Sequence, residues 1–286
     1  MPHRKALAAR QESPAIIYRS IRTTSLDAES PAFHSVAMAQ CEMRWFSQTL
    51  QMRVQTTVLI PDDFPPPYST LYLLHGLSDD HLTWIRMTRL ESYASAFPLL
   101  IVMPMGFRGF YTDNDAGPAY AQYIGQELVT KIERTFPARP DRNSRGLGGN
   151  SMGGYGALRI ALGFPDRFAS AHSHSGALMG GSRNAPASRL GEEGVRIFGN
   201  SPIGAAHDLL HLAENAKAAG RLCHLRLDCG VDDFLFADNQ EFHARLAAMN
   251  VAHDYLENPG NHDWGYWDQQ IRPALKFHTQ VLAPPG

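Results

Sequence analysis

Two short, uninterrupted apolar runs constrain the fold of this chain most strongly. They occupy residues 71–74 and 99–103, and they end at His75 and at Pro104. Apolar runs of this length, without polar alternation, are typical of strands buried on both faces of a sheet. A helical pattern over residues 82–93 lies between them. The sequence therefore predicts a strand-helix-strand unit, the building block of a parallel sheet.

The alternation of strands and helices continues to the end of the chain. Ile124, Leu128 and Ile132 recur every fourth residue, as in a helix that packs on a sheet. Two earlier segments, 36–46 and 52–60, instead alternate apolar and polar residues, which is typical of strands with one buried face. Further strands are predicted at 145–148, 168–172, 225–229 and 251–256, and helices at 153–162, 239–249 and 264–281. The predicted fold class is α/β, with a central, mostly parallel sheet flanked by helices.

The periodicity also predicts how the chain is organised into domains. Residues 1–30 lack sustained periodicity and are interpreted as an N-terminal extension, which leaves residues 31–286 as one domain. Residues 179–218 interrupt the alternation with Gly, Ser, Asn and Pro, and contain a short helical pattern over 205–218. We interpret this segment as an insertion over the sheet edge rather than as a second domain.

Charge, apolar runs and cysteines limit the partners and the compartment. The formal net charge of −2 offers no electrostatic case for nucleic acid. The longest apolar runs are far shorter than the roughly 20 residues of a membrane span. No secretory signal is visible, and Cys41, Cys223 and Cys229 are interpreted as free thiols. These features favour a cytoplasmic protein with a small-molecule substrate and no membrane span; they leave open whether the chain forms a homo-oligomer.

The segment Gly149-Asn150-Ser151-Met152-Gly153 matches the pattern G-x-S-x-G. In a nucleophile elbow of this pattern a serine lies on a tight turn from a strand into a helix, and the glycines leave room for the strained backbone. A predicted strand precedes the motif and a predicted helix follows it. The alternative is a glycine-rich turn whose serine only forms hydrogen bonds. The context favours an α/β-hydrolase fold with Ser151 as nucleophile.

A serine hydroxyl needs a base, and the base needs an acid that orients it. His262 lies in a loop after the last predicted strand, whereas the other downstream histidines fall in or beside predicted strands and helices. Asp228, Asp232 and Asp233 lie around the end of an earlier strand, which agrees with the chain order Ser, Asp, His of this fold. His262 is therefore the predicted base. Between the adjacent Asp232 and Asp233, spacing alone leaves the acid open.

Backbone donors for the developing oxyanion come, in this fold, from the residue after the nucleophile and from the loop after an early strand. The corresponding residues are Met152 and Leu77. Gly76 permits the turn that would present the Leu77 amide. The alternative interpretation of His75-Gly76 is a turn that only ends a strand.

His172 and His174 are two residues apart and would share one face of a strand. That spacing is compatible with metal ligation, but no carboxylate or cysteine lies near them in the sequence. Hydrogen-bonded packing near the elbow is the favoured interpretation. Cys229, in a predicted strand, is interpreted as a small buried hydrophobic residue.

Taken together, these motifs resemble the esterase D-like family, which includes short-chain acyl esterases of the tributyrin-esterase type, S-formylglutathione hydrolases and mycolyltransferases. The resemblance spans roughly residues 36–280. Five segments carry it: residues 46–50 leading to Ile60-Pro61; residues 73–77 with Trp84; Met103-Pro104 with residues 110–113; residues 149–156; and residues 229–235 with residues 262–267. The chain departs from the family pattern at residues 171–174, where the family more often has Ser and Leu before Ser175-Gly176.

The resemblance implies roles for several residues. It selects Asp233 as the acid that orients His262, and it implies a site without a metal, a cofactor or a large lid. Trp84, Tyr111 and Trp264 are candidates for the walls of an open, substrate-binding cleft. Aromatic residues such as these also serve commonly as core.

The predicted function is a serine esterase that hydrolyses small or short-chain carboxylic esters through an acyl-enzyme. An acyltransferase or a thioester hydrolase would use the same residues, in the manner of a mycolyltransferase or an S-formylglutathione hydrolase. A non-catalytic binding protein that retains the fold is the alternative from another class.

Overall fold

A computed structural model describes residues 38–183 and 190–284 of the chain. The predicted extension over residues 1–30 lies outside the described residues, as do residues 184–189 of the predicted insertion. Within the described ranges no helix combines the length and the apolar character that crossing a membrane requires.

One sheet of eight strands organises the described part of the chain. Its strand order is β1-β2-β4-β3-β5-β6-β7-β8. The pairs β1/β2 and β2/β4 are antiparallel, and every other neighbouring pair is parallel. The strands are β1 Met38–Ser47, β2 Met52–Pro61, β3 Ser69–Leu74, β4 Leu99–Pro104, β5 Arg145–Gly149, β6 Ser170–His174, β7 His224–Gly230 and β8 Asp254–Asn258. The mostly parallel sheet confirms the predicted fold class.

Helices cover both faces of this sheet. They are α1 Thr83–Met87, α2 Leu90–Ala94, α3 Tyr120–Gln122, α4 Val129–Thr135, α5 Met152–Gly163, α6 Glu192–Phe198, α7 Leu209–Ala218, α8 Phe236–Ala248 and α9 Trp264–Val281. A π-helical stretch, Tyr123–Leu128, joins α3 to α4. The helix predicted around Ile124, Leu128 and Ile132 is therefore present, with a π-helical segment inside it.

The core divides into two clusters because successive residues of a strand point to opposite faces. In β3, Tyr72 and Leu74 pack with α4, α5, α7 and α8, whereas Leu71 and Leu73 pack with α1, α2 and α9. Every residue of β3 and β4 is buried. The two runs that predicted doubly buried strands are indeed the centre of the sheet.

Several element boundaries differ from the prediction. The helix predicted over 82–93 is two short helices, because Thr88 between them is extended, with φ −136° and ψ 170°. The strand predicted at 168–172 is β6, shifted by two residues, since its ladder with β5 starts where Ser170 pairs with Gly146. The strand predicted from 251 starts at Asp254, because the Val251 N–H donates to Leu246 O and closes the end of α8.

Candidate active site

The G-x-S-x-G segment forms the junction between β5 and α5. Ser151 has φ 53° and ψ −116°, a conformation that is strained for a residue with a side chain. A Cβ on Gly149 would lie 2.6 Å from Leu74 O, and one on Gly153 would collide with the same carbonyl. Both positions therefore require glycine, and the tight turn leaves Ser151 partly exposed at the carboxyl end of the sheet.

His262 and Asp233 reach Ser151 from two other loops at the same edge. His262 lies between β8 and α9, and Asp233 lies between β7 and α8. The Nε2 atom of His262 is 3.0 Å from Ser151 Oγ, and its Nδ1 atom is 2.8 Å from Asp233 Oδ2. The three predicted residues are thus brought together in one continuous chain of hydrogen-bonding distances.

The structure also separates the two adjacent aspartates. Asp232 is exposed, whereas Asp233 is buried and faces His262. Burial opposes ionisation of Asp233, but hydrogen bonds from His262 and from the Leu235 N–H outweigh it and lower the pKa of Asp233 below its usual value. An ionised carboxylate accepts the Nδ1 proton of the imidazole, which leaves the Nε2 lone pair directed at the serine hydroxyl.

Leu77 and Met152, the predicted oxyanion donors, line the same cavity as Ser151. Met152 is the first residue of α5, so its N–H belongs to the first turn, where no intrahelical acceptor exists. Leu77 follows β3, and a Cβ on Gly76 would lie 3.0 Å from Asn150 Nδ2. The loop after β3 therefore lies directly against the elbow.

A cavity of about 360 Å³ opens beside Ser151. Most of its lining is apolar: Leu77, Phe110, Met152, Ala177, Met179, Leu190, Val195, Phe198, Pro202, Phe234 and Leu235. Arg183 and Asp238 also line it, and they form an ion pair of 2.8 Å with each other. Such a cavity suits an apolar, uncharged ligand group.

One wall of this cavity is α6, an element that sequence periodicity missed. Phe198 of α6 is buried and packs edge-on against Phe110 and Tyr155, with ring centroids 5.3 and 5.6 Å apart. The i, i+3 spacing of Val195 and Phe198 was the available signal. Only seven residues long, the helix is too short for that spacing to stand out within the predicted insertion.

The predicted wall residues Trp84, Tyr111 and Trp264 do not line this cavity. Trp84 is buried, and its Nε1 donates to Leu74 O at 3.1 Å. Tyr111 is also buried, and its hydroxyl donates to His75 O at 3.0 Å. Trp264 packs edge-on against Trp84, with ring centroids 5.1 Å apart. In these contacts the three aromatic residues brace the loops around the site, and their assignment to the cleft wall stays a prediction.

His172 and His174 point to one face of β6, with ring centroids 4.5 Å apart. His172 Nδ1 lies 2.7 Å from His278 Nε2, and His174 Nδ1 lies 2.8 Å from Asp228 Oδ1. The carboxylate missing from their sequence neighbourhood is thus supplied by β7. Over residues 38–183 and 190–284 no group of three or more His, Cys, Asp or Glu is arranged to hold a metal ion.

Comparison with known proteins shows the family to which the chain belongs. Residues 47–278 match the family model Esterase, described as "Putative esterase". An acetyl esterase of Caldicellulosiruptor saccharolyticus is 29% identical over 266 residues, which cover 85% of this chain and 99% of that protein.

Two solved structures from Staphylococcus aureus are similar over nearly their whole length. FphF, a fluorophosphonate-binding serine hydrolase, matches with a TM-score of 0.77 and 32% identity, covering 85% of this chain and 98% of FphF. The S-formylglutathione hydrolase FrmB matches with a TM-score of 0.75 and 32% identity, covering 85% and 99%. The family match, the sheet topology and these relatives agree with the resemblance drawn from the motifs: this chain belongs to the esterase family and is a carboxylic ester hydrolase of the α/β-hydrolase fold.

Proposed function

We propose that the protein is a serine esterase that hydrolyses small or short-chain carboxylic esters through an acyl-enzyme. Ser151 is the nucleophile, His262 the general base and Asp233 the acid that orients it. The two-sided contact of His262 carries this proposal, because one imidazole is 3.0 Å from a hydroxyl and 2.8 Å from a carboxylate. That arrangement is what activation of a serine requires.

In the first half-reaction Ser151 Oγ attacks the ester carbonyl while His262 Nε2 takes the hydroxyl proton. The tetrahedral intermediate then collapses, the C–O bond to the alcohol breaks, and His262 returns the proton to the leaving oxygen. In the second half-reaction His262 removes a proton from water, which attacks the acyl-enzyme and releases the acid. Asp233 remains ionised and stabilises the imidazolium formed in each half.

The Leu77 and Met152 amides are proposed as donors to the oxyanion. Loss of one such donor in a serine hydrolase costs about 10²–10³ in kcat. Met152 is 1% exposed and Leu77 is half-buried, so both amides would act where water is largely excluded.

The proposed acyl specificity rests on the apolar cavity. A chain of a few methylenes gains about 0.8 kcal/mol for each one buried, and a volume of about 360 Å³ accommodates a short chain. A charged acyl terminus would meet Arg183, which is already neutralised by Asp238 and Glu241 at 2.8 Å each. We therefore propose neutral acyl groups as substrates.

Active-site labelling tests the proposal directly. A fluorophosphonate probe is expected to add one phosphonyl group to the peptide that contains Ser151, and Ser151→Ala is expected to abolish both labelling and turnover of p-nitrophenyl butyrate. Ser92→Ala, an exposed serine on α2, is the control and retains both. Unchanged turnover in Ser151→Ala would remove the assignment, and a parent protein that neither labels nor turns over esters would favour the binding-protein alternative.

Thioester hydrolysis is the second candidate, favoured by the 32% identity to an S-formylglutathione hydrolase. Acyl transfer would use the same residues with an alcohol in place of water. Rates on matched oxygen and thiol esters of one acyl group, with and without a competing alcohol, separate these activities. A faster thiol ester, or more transfer product than acid, would favour the corresponding alternative.

A further inference from the structure

The peptide unit between Gly76 and Leu77 has two orientations with opposite consequences for the site. In a trans peptide the C=O and the following N–H point in opposite directions. If Gly76 C=O points away from the cavity, Leu77 N–H points toward the side where an oxyanion forms. A flip of the unit would instead present a carbonyl oxygen to that negative charge. Gly76 lacks a Cβ, so its own sterics do little to prevent such a flip.

The side chain of His75 holds this carbonyl. His75 Nδ1 lies 2.7 Å from Gly76 O, and its other ring nitrogen, Nε2, accepts a hydrogen bond of 2.9 Å from the Gly106 N–H. A backbone N–H can only donate, so Nε2 must carry the lone pair. In a neutral imidazole the proton then resides on Nδ1, which donates it to Gly76 O. The Gly106 amide thereby selects the tautomer that fixes the Gly76–Leu77 peptide.

We propose that His75 is a positioning residue for the reaction: it orients the Leu77 amide by donating from Nδ1 to the carbonyl of the same peptide unit. The inference rests on the proposed function, in which that amide binds the oxyanion. The buried hydrogen bond from His75 to Gly76 O is lost when the peptide unit flips, and therefore it opposes the flip.

The surroundings of His75 suit this task. The residue is 1% exposed, and burial lowers its pKa to about 4, so the ring is neutral and has a single N–H at neutral pH. Tyr111 donates its hydroxyl to His75 O, which anchors the backbone just before the turn. The Asp79 N–H also reaches Gly76 O, but at 3.3 Å, which leaves the His75 contact as the shorter of the two.

Two amide variants of His75 distinguish the roles of its two ring nitrogens. Asparagine places its side-chain NH₂ close to the position of Nδ1 and can still donate to Gly76 O, whereas glutamine places its carbonyl near Nε2 and can only satisfy Gly106 N–H. We expect kcat for p-nitrophenyl butyrate to stay within about 3-fold of the parent in His75→Asn. In His75→Gln we expect kcat to fall by about 10²-fold, the effect of losing one oxyanion donor, with KM within about 3-fold.

Binding of a trifluoromethyl ketone, whose serine adduct carries the oxyanion, is the second readout. Its affinity is expected to fall in parallel with kcat in His75→Gln and to be retained in His75→Asn. His278→Gln is the matched control, because His278 is also buried and hydrogen-bonded, to Ser170 and His172. It is expected to lower the melting temperature and leave kcat and ketone affinity unchanged.

Equal losses in the Asn and Gln variants, or full kcat in His75→Gln, would overturn the inference. Should neither variant fold, long-range ¹H–¹⁵N NMR of the parent protein gives the decision, because a proton on Nε2 of His75 would contradict the proposed donor. An active parent with an inactive Ser151→Ala variant, together with an unaffected His75→Gln, defeats only the role of His75. A parent without esterase activity defeats the proposed function itself.

Discussion

The two sides of the cavity are held in place by different interactions. On the elbow side, residues 149–153, backbone hydrogen bonds fix the turn: Ser151 N–H donates to His174 O of β6 at 2.9 Å, and Gly153 N–H donates to Asn150 O within the elbow at 2.7 Å. On the wall side, the first turn of α6 is joined to the loop after β4 by the ion pair between Arg108 and Glu193, whose side chains are 50% and 27% exposed. The last turn of α6 accepts backbone hydrogen bonds from the exposed residues Asp115 and Ala116, at 3.2 and 3.1 Å.

This difference separates chemistry from specificity. Buried backbone hydrogen bonds are strengthened by the low local dielectric, whereas a half-exposed ion pair contributes at most about 1 kcal/mol and weakens with salt. We therefore propose that the elbow side sets the reaction and that the wall side sets which acyl group fits. Variants on the elbow side are expected to change rate for every ester, and variants on the wall side to change the ratio between esters.

After the loss of Ser151, the largest effect is expected from Asp233 on the elbow side. Asp233→Asn should lower kcat by about 10³–10⁴, because an amide cannot hold His262 in the tautomer that accepts the serine proton. Asp232→Asn, one residue away and exposed, is the control and should remain within about 2-fold. Steady-state rates on one short-chain ester measure both. An equal loss in the two variants would contradict the assignment of Asp233.

The next largest effect is expected on the free energy of unfolding, which the buried histidines make dependent on pH. Burial lowers the pKa of His278 to about 3 and of His75 to about 4, whereas an unfolded histidine titrates near 6.5. Below pH 6.5 the unfolded state therefore binds more protons than the folded state, and stability falls as pH falls toward these lowered values. Each such histidine contributes a slope of up to about 1.4 kcal/mol per pH unit.

Urea denaturation at pH 7 and pH 5 measures this slope. The unfolding constant of the parent is expected to rise by at least about 10²–10³ over that interval, which is the combined effect of these two histidines. Burial also lowers the pKa of His172, which adds to the rise. In His278→Asn the rise of the unfolding constant should be at least about tenfold smaller, since one titrating group is removed. The same rise in parent and variant would contradict the linkage to His278.

A larger side chain on the α6 wall should narrow the cavity and change which acyl groups the enzyme prefers. Val195 lines the cavity from α6, so Val195→Phe fills space that a longer acyl chain would occupy. We expect the ratio of kcat/KM for hexanoyl over acetyl p-nitrophenyl esters to fall by about 10-fold, since one to two methylenes of burial are lost. Ile203→Phe, at an exposed position outside the lining, is the control. An unchanged ratio in Val195→Phe would place the acyl group elsewhere.

The smallest effect is expected from the ion pair between Arg108 and Glu193 at the first turn of α6. Arg108 contacts Glu193 through two nitrogen-oxygen distances of 2.7 Å and also donates to Ser78 Oγ at 2.7 Å. Glu193→Gln should change kcat/KM by less than about 5-fold, more for hexanoyl than for acetyl esters, and the difference should shrink in 1 M salt. A loss of 10²-fold for all esters would mean that the wall side also sets the chemistry.

Sequence reasoning identified the elements that determine the fold. The buried runs at 71–74 and 99–103 became β3 and β4 in the centre of the sheet, and the helix predicted over 264–281 is α9. Boundaries were missed where a contact from another element decides them: β6 starts where it meets β5, and β8 starts after the turn that closes α8.

The candidate site was predictable where a residue is marked by its local sequence. Ser151 is marked by local glycines, and His262 by its place after a predicted strand. The choice between Asp232 and Asp233 rested on a family resemblance, since spacing could not say which of the two faces His262. The assignment of Trp84, Tyr111 and Trp264 to the cleft wall came with the same resemblance and stays a prediction, because the sequence does not reveal the side to which a ring turns.

The sequence by itself determined the order and type of the elements, because hydrophobic period and glycine positions act over a few residues and need no distant partner. Tertiary structure alone decided which side chains converge. The contact of His75 with Gly106 joins residues 31 apart, and the pairing of His174 with Asp228 joins residues 54 apart. The wall formed by α6 is joined to the loop after β4 through Arg108 and Glu193, which are 85 residues apart. Such contacts depend on how the sheet is assembled, and no local pattern encodes them.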